Sequence, residues 1–305
     1  MEVKENKLPN YQFSSINKTS PLLYKSYLFS IAYRMLGSVQ DAEDILQDTY
    51  LAWLAMDQSK VNNTKTYLTK VVVNRSVKLL EQRKKQRVNY IGPWLPEPLV
   101  ESLYSIEQAE TLSYSFLLLL EKLTPTERAV FLLHKVFDWQ YEAIATAFEL
   151  TNANCRQLGH RAQEKIKSDK KRFIANTQQK EHFKTVFINA CQTGVFDELF
   201  QHLKEEVILY GDGGGKVLAG LKPIFGRTKV LRFFTAILPK MPADVKLIVT
   251  MMNGSPSIIA IEKGKIINVM IMEVEGEGIS NIYAVRNPDK LKHLEVGALI
   301  FKVIE

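Results

Sequence analysis

Cysteine is almost missing from this chain. Cys155 and Cys191 are its only two in 305 residues, no CxxC pair occurs, and there are just five histidines. That excludes a disulfide scaffold and leaves no clustered thiol and imidazole ligands, so neither a metal nor a cofactor is expected. No apolar run approaches the length needed to cross a bilayer, about 20 residues. Met1-Glu-Val-Lys-Glu-Asn-Lys lacks the apolar stretch of a signal peptide, so the expected setting is cytoplasmic with reduced thiols. Acid is short relative to base: 33 Asp and Glu face 40 Lys and Arg, a net charge of +7, with a pI near 9.1. Such a surplus suits an acidic polymer as partner. The 46% apolar content is enough for real cores, and the length suffices for two or three domains.

The most informative stretch runs from Leu123 to Ala162. Thr124 and Glu127 form a capping box, and Pro125 takes the first helical position, where no N–H is needed. Val130, Leu133, His134 and Phe137 continue the apolar face of that helix. A short helix from Gln140 to Phe148 follows, burying Ile144 and Ala147, and Thr151 caps a third. This is the pattern of a supported helix-turn-helix. The third helix offers Asn152, Asn154, Arg156, Gln157, His160 and Arg161, whose donors and acceptors suit base edges and phosphates, while Leu158, Ala162 and Ile166 turn to the core.

Two upstream helices, Tyr24 to Leu36 and Val39 to Trp53, break at Gly37-Ser38. Ser38 caps the second, and acids at its positive end are locally stabilising. Asp48 lies beyond that dipole, and with Asp41, Asp44 and Gln47 it builds an acidic face suited to a basic protein partner. Lys65 to Arg87 then carries Lys70, Arg75, Lys78, Arg83, Lys84, Lys85 and Arg87 against the single acid Glu81. That run is a footprint for phosphate. Tyr67 is placed either to stack on an unpaired base or to fill the core, and Asn74 supplies a two-sided amide.

In Pro93-Trp-Leu-Pro-Glu-Pro, three prolines in six residues deny helix and favour an extended linker. Trp94 in it belongs against a surface, its own domain's or a partner's. Beyond Lys171 the pattern turns α+β, with helices expected at Thr177 to Cys191, Phe196 to Leu203 and Arg227 to Leu238. Strands are expected at Val207–Tyr210, Lys216–Ala219, Lys246–Val249, Ser257–Ile261, Ile266–Met272 and Asn281–Val285, with a hairpin at Glu262-Lys-Gly-Lys. Asp212-Gly-Gly-Gly-Lys216 lacks the first glycine and the Ser/Thr of a P-loop, because Tyr210 and Val217 stand there. It reads as a turn with one glycine more than a turn needs, which predicts close approach by another backbone.

The segment Tyr27 to Leu54, with Asp41-Ala-Glu-Asp44 and Leu46-Gln-Asp48, resembles the clamp-binding helix pair of the extracytoplasmic-function sigma factors. The resemblance implies that Asp41, Glu43, Asp44, Gln47 and Asp48 meet core RNA polymerase. It implies further that the basic helix opens promoter DNA at the minus-ten element through Tyr67, Lys70, Asn74, Arg75, Lys78, Arg83 and Lys84. Asn152 to Arg161 then correspond to the minus-thirty-five reader. A Trp is usual where Tyr67 stands, and Val71-Val-Val-Asn-Arg replaces a commoner Ile-Ala-Arg-Asn.

The second half resembles the cone-shaped α+β SnoaL-like domain, in which helices close a curved antiparallel sheet over a pocket. Trp94-Leu-Pro-Glu-Pro, Asp212-Gly-Gly-Gly-Lys and Asn287-Pro-Asp-Lys-Leu match the sigma subgroup that carries this fusion. The implied fold is therefore multidomain: a tail at 1–19, an all-α region 2 domain at 20–87, a linker at 88–111, an all-α region 4 helix-turn-helix domain at 112–172, and the SnoaL-like domain at 177–305. In that subgroup Trp94, Asp212, Gly213, Gly214, Gly215, Lys216, Asn287, Pro288 and Asp289 are implied to regulate the sigma core in cis. The protein is expected to be monomeric when free, to have no membrane partner and not to be an enzyme. His182, His202 and Asp212 are the titratable groups available for catalysis, and none is paired at a persuasive spacing. A small ligand bound without turnover is the better use of a pocket, with Phe187, Phe225 and Phe233 available to line it or fill the core. The alternative is a helix-turn-helix regulator with a ligand-binding or catalytic SnoaL-like domain.

Overall fold

The structure, a computed structural model, describes residues 20–87, 89–100, 104, 112–167, 182–183, 185–186, 188–190, 193 and 195–297. Its first helices obey the punctuation in the sequence. Helix α1 (Lys25–Leu36) stops at Gly37 in the left-handed conformation, φ 65°. Helix α2 (Val39–Ala55) starts where the Ser38 side chain accepts the Asp41 N–H, and α3 spans Thr64–Arg87. A second helical set follows: α4 (Tyr114–Leu120), α5 (Pro125–Lys135), α6 (Tyr141–Phe148) and α7 (Asn152–Lys167). The capping box at Thr124 and Glu127 is formed, and Cys155, Leu158, Ala162 and Ile166 make the buried stripe of α7.

These two sets are not separate bodies. Leu28, Trp53, Leu68 and Val72 share one hydrophobic core with Leu117, Val130, Leu133 and Ile144. Arg128, buried at the start of α5, donates from Nη1 to the Met35 carbonyl at 2.6 Å and from Nε to the Leu120 carbonyl at 2.9 Å. One guanidinium therefore ties the end of α1 to the end of α4.

The C-terminal part is a six-stranded mixed sheet in the order β2-β1-β6-β5-β4-β3, formed by β1 (Leu203–Asp212), β2 (Ile224–Phe225), β3 (Lys246–Met252), β4 (Ser255–Glu262), β5 (Lys265–Glu275) and β6 (Gly278–Val285). Helices α8 (Asp197–Gln201) and α9 (Arg227–Ile237) belong to it. Strands β3 to β6 form a meander. It turns at Asn253-Gly254 and Lys263-Gly264, where all four residues have positive φ between 50° and 75°, the geometry of primed hairpins.

An all-antiparallel sheet is corrected here. After three reversals β6 runs alongside β1 in the same direction, so that pair is parallel. The strand expected at Lys216–Ala219 is also absent: positive φ at Gly214 and Gly215 turns the chain, Leu218 is 88% exposed, and β1 pairs with Ile224–Phe225 instead. The helix expected over Phe196–Leu203 is limited to α8, because Leu203 already belongs to β1. Of Thr177–Cys191, positions 177–181, Lys184, Phe187 and Cys191 lie outside the described residues, and the described positions between 182 and 190 are helical.

The sheet has two apolar faces. Leu209, Val230, Phe234, Ile258, Met272 and Ile282 form one core with the helices. Ile259, Ile261, Val269, Ile271 and Tyr283 form the other, joined by Leu95 and Val100 of the linker and Tyr114 of α4.

Candidate functional site

On α2, Glu43, Asp44, Gln47 and Asp48 are exposed and Asp41 is half-buried. Much of this acidic face is paired with the basic helix behind it. Asp48 accepts from Arg75 at 2.7 Å, Asp41 is chelated by Arg83, and Glu43 accepts from Tyr104 at 3.0 Å. On α3, Asn74 and Lys78 are exposed, while Lys70 reaches across to Glu149 at the end of α6, 2.9 Å away. Tyr67 is half-buried against Trp53, ring centroids 5.7 Å apart, so in this state it packs on the core. The side chain of Lys84 lies outside the described residues.

Helix α7 presents Asn154, Arg156, Gln157, His160 and Arg161 to solvent, with Asn152 half-buried. Three of these are held within the domain. Glu142 accepts from Asn152 at 2.8 Å and from Arg156 at 2.9 Å. These bonds, the Asn152 one foremost, hold its carboxyl down to about 2. Arg161 stands 3.5 Å from Glu127, whose other oxygen accepts from Lys165 at 2.7 Å. Burial raises the Glu127 carboxyl, but Lys165 and Thr124 together hold it below its ordinary value.

The three sequence motifs converge on one joint. Asp212, fully buried at the end of β1, accepts from Tyr90 Oη at 2.5 Å, the Leu95 N–H at 2.9 Å and the Gly214 N–H at 3.0 Å. Lys290 completes the set, 2.6 Å from Asp212, with its Nζ also donating to the Leu95 carbonyl. The same ammonium lies 4.3 Å from the Trp94 ring centroid. That ring covers Gly37, where an added Cβ would sit 2.8 Å from Trp94 Cη2. The linker is thus threaded between domains of its own chain, with Trp94 closing over the break between α1 and α2.

The extra glycines serve a close approach, by side chains at Gly214 and Gly215 and by the Val217 backbone carbonyl at Gly213. A Cβ at Gly214 would strike the Asn287 side chain, and one at Gly215 would lie 2.8 Å from Ile91 Cδ1. Asn287 Nδ2 donates to Tyr90 Oη at 3.0 Å and its Oδ1 caps Asp289 at the turn begun by Pro288. Lys216 and Asp289 form an exposed ion pair beside it. Gly213 packs against Val217 and Ala219 within the loop.

Sequence reasoning assigned no role to four residues of this joint, although Glu97 and Lys290 stand inside two of its motifs. Glu97 caps α2 from the linker, accepting from Ser38 Oγ at 2.9 Å and from the Val39 and Gln40 N–H groups at 2.7 and 3.2 Å, where the positive helix end favours a carboxylate. Asn253, in the β3–β4 turn, accepts from the Leu99 N–H at 2.8 Å and donates to Tyr33 Oη at 2.7 Å and the Leu112 carbonyl at 2.9 Å. Glu273 of β5 accepts from the backbone and hydroxyl of Ser115 at 2.7 and 2.8 Å. Lys290 is the fourth. A lone acid in an apolar strand and a charge inside a proline-locked segment were the available signals.

No group of three or more potential metal ligands exists among the described residues, and no described helix is long and apolar enough to cross a membrane. Asp212 is engaged with the linker, away from His182 and His202, whose rings are 5.8 Å apart. The aromatics around the cavity of the C-terminal domain are Phe196, Phe200 and Phe234. Phe225 is 58% exposed and Phe233 packs beside the core, so neither lines it; Phe187 lies outside the described residues.

Residues 23–86 match the model for Sigma-70 region 2, and residues 114–166 that for Sigma-70 region 4. The chain is 30% identical over 224 residues to the ECF RNA polymerase sigma factor SigJ of Mycobacterium tuberculosis, covering 71% of each. It is 29% identical over 284 residues to the probable ECF RNA polymerase sigma factor SigI of the same organism, covering 89% of this chain and 93% of that one. The crystal structure of M. tuberculosis SigJ shares the fold, with a TM-score of 0.69 at 24% identity over 88% of this chain and 95% of that one. The expected order of two helical sigma domains followed by an α+β domain therefore stands, with the sheet of that last domain mixed instead of antiparallel.

Proposed function

Because the chain belongs to the extracytoplasmic-function RNA polymerase sigma factors, and so directs transcription initiation, we propose that the compact arrangement is its held state, fastened in cis by the C-terminal domain. In this reading Asp41, Glu43, Asp44, Gln47 and Asp48 dock on core RNA polymerase. Helix α3 opens the minus-ten element, with Tyr67, Lys70, Asn74, Arg75, Lys78, Arg83 and Lys84 as its DNA face. Helix α7 reads the minus-thirty-five element from Asn152, Asn154, Arg156, Gln157, His160 and Arg161. Trp94, the Asp212–Lys216 loop and Asn287–Asp289 form the fastening, and the C-terminal domain acts as a regulator rather than an enzyme.

One observation carries this. The minus-ten and minus-thirty-five helices belong to domains that share a core and are bridged by Lys70 and Glu149. Their two DNA elements lie roughly two helical turns apart, about 70 Å along the duplex. Packed domains cannot reach both, so promoter reading requires them to part. The exposed pairs Lys70–Glu149 and Arg75–Asp48 contribute little, because solvent screens them. Polymerase and DNA can therefore exchange them, whereas the buried Asp212–Lys290 set has to be broken as a unit.

The test is run-off transcription with purified core polymerase on the protein's own promoter, joined to co-purification. Asp44→Lys with Asp48→Lys is expected to abolish co-purification and transcription while leaving the melting curve intact. Retention of core polymerase by that double variant would remove the docking assignment.

A further inference from the structure

Charge is unevenly spread over the C-terminal domain. Positions 213–243 hold six Lys and Arg and no Asp or Glu, whereas the rest of 195–297 holds twelve acids and seven bases. Two of the six are engaged: Lys216 pairs with Asp289 and Arg227 with Glu205. Lys222, Lys229, Arg232 and Lys240 are exposed, and among the described residues none of them has an ion pair or a hydrogen bond. Lys229 and Arg232 stand three apart, neighbours on the surface of one helix, where like charges repel. An opposite charge brought to them is correspondingly favoured.

Helix α9 sets where these charges point. Val230 and Phe234 turn inward, to the core on the helix-covered face of the sheet. That sends Lys229 and Arg232 outward, with exposed Ala236 one turn further on the same side. Lys240 ends the short 3₁₀ turn Leu238–Lys240 that continues the helix, and Lys222 stands two residues before β2. The linker and α4 pack on the opposite face of the sheet, so this basic side is open both when the sigma domains pack together and when they part. Lys229, Arg232, Ala236 and Lys240 offer no large apolar side chain to enter a bilayer. Successive cations suit the closely spaced phosphates of a duplex. Helix α7 ends at Lys167, and positions 168–181, which lead to the next described residue, can span at most about 50 Å. The domain therefore stays within reach of duplex next to whatever α7 holds.

We infer that the basic side of α9 grips the phosphate backbone of duplex DNA beside the minus-thirty-five element, without reading its sequence. Its placement beside that element rests on the role of α7 proposed above; its capacity to bind duplex does not. Phosphate contacts fix position while carrying no sequence information. The surface thus anchors the C-terminal domain on promoter DNA once the sigma domains have parted, away from the joint that it closes in the free protein.

A short duplex of arbitrary sequence, titrated with full-length protein over a range of salt, is the probe. Lys229→Gln with Arg232→Gln is expected to reduce the magnitude of the salt slope by about 2, so that the affinity lost between about 50 and 200 mM salt shrinks by about tenfold. Lys263→Gln with Lys265→Gln, two exposed bases of the β4–β5 hairpin, removes the same charge from outside the acid-free span and is expected to leave the slope unchanged. Should melting curves show that the α9 pair does not fold, Lys222→Gln with Lys240→Gln takes its place. In hydroxyl-radical footprints of the holoenzyme on its promoter, wild type should protect phosphates flanking the minus-thirty-five element, and the α9 variant should lose that protection while both elements stay covered. An unchanged slope, an equal change in the hairpin control, or loss of binding to phosphatidylserine vesicles with DNA binding intact overturns the surface. A changed slope with an unchanged footprint overturns its placement on the promoter. A wild-type complex that leaves the minus-thirty-five element itself unprotected contradicts the role of α7 instead, and the duplex titration then decides the surface alone.

Discussion

At the scale of single residues, buried carboxylates do the fastening. Asp212 gathers four donors, from Tyr90, Leu95, Gly214 and Lys290. Asp212→Ala removes the countercharge of the Lys290 ammonium, and breaking a buried pair from one side costs about 3–5 kcal/mol. Chemical denaturation should show a loss of that size. Adding Lys290→Met should recover only part of it, since the Leu95 N–H stays unpaired. Glu273 differs. Burial raises its carboxyl above the ordinary 4.5, and the bonds from Ser115, Tyr283 and Asn281 offset this only in part. A carboxyl raised on folding contributes stability that is complete below pH 4.5 and lost as pH climbs through the raised value. The melting temperature of wild type relative to Glu273→Gln is therefore expected to fall over that window. A difference that stays flat or rises with pH would contradict the assignment.

Among the elements, α7 is held ready rather than free. Glu142 occupies Asn152 and Arg156, so in the proposed reading DNA competes with it. Arg156→Ala should weaken minus-thirty-five binding by about 1–3 kcal/mol if Arg156 reads a base edge, or chiefly lower the salt slope by about 1 if it grips phosphate. Glu142→Gln should strengthen binding in either case, because the competing charge is gone; gel-shift titrations over a range of salt distinguish the three results. The helices themselves were legible because their signals are local. Ser38, the Thr124 and Glu127 box and the apolar stripe of α7 lie within a few residues of what they specify. The Asp212 loop was legible in kind and not in detail: its glycines announced a close approach, but only the fold brings Asn287 and Ile91 to them. Asn253 and Glu273 were illegible as joint residues because their partners Leu99 and Ser115 lie 154 and 158 positions away. In sequence, Asn253-Gly254 is one more hairpin turn.

For the molecule as a whole, the proposed reading makes the basic surplus and the paired acidic helix groups that satisfy one another until partners arrive. The region 2 and region 4 domains share a core with the linker laid across them, and the C-terminal sheet backs that linker through Leu95, Leu99 and Val100. The proposed function then depends on a separation. The direct measurement is the distance between spin labels at Leu54 on α2 and Glu164 on α7, in a background with Cys155 and Cys191 replaced, recorded for the free protein and for the promoter-bound holoenzyme. A single short distance is expected in the free protein, lengthening by tens of ångströms in the complex, where the elements read lie about 70 Å apart. Asp212→Ala should broaden the short distance before any polymerase is added. The same short distance persisting in a transcribing complex would contradict the account.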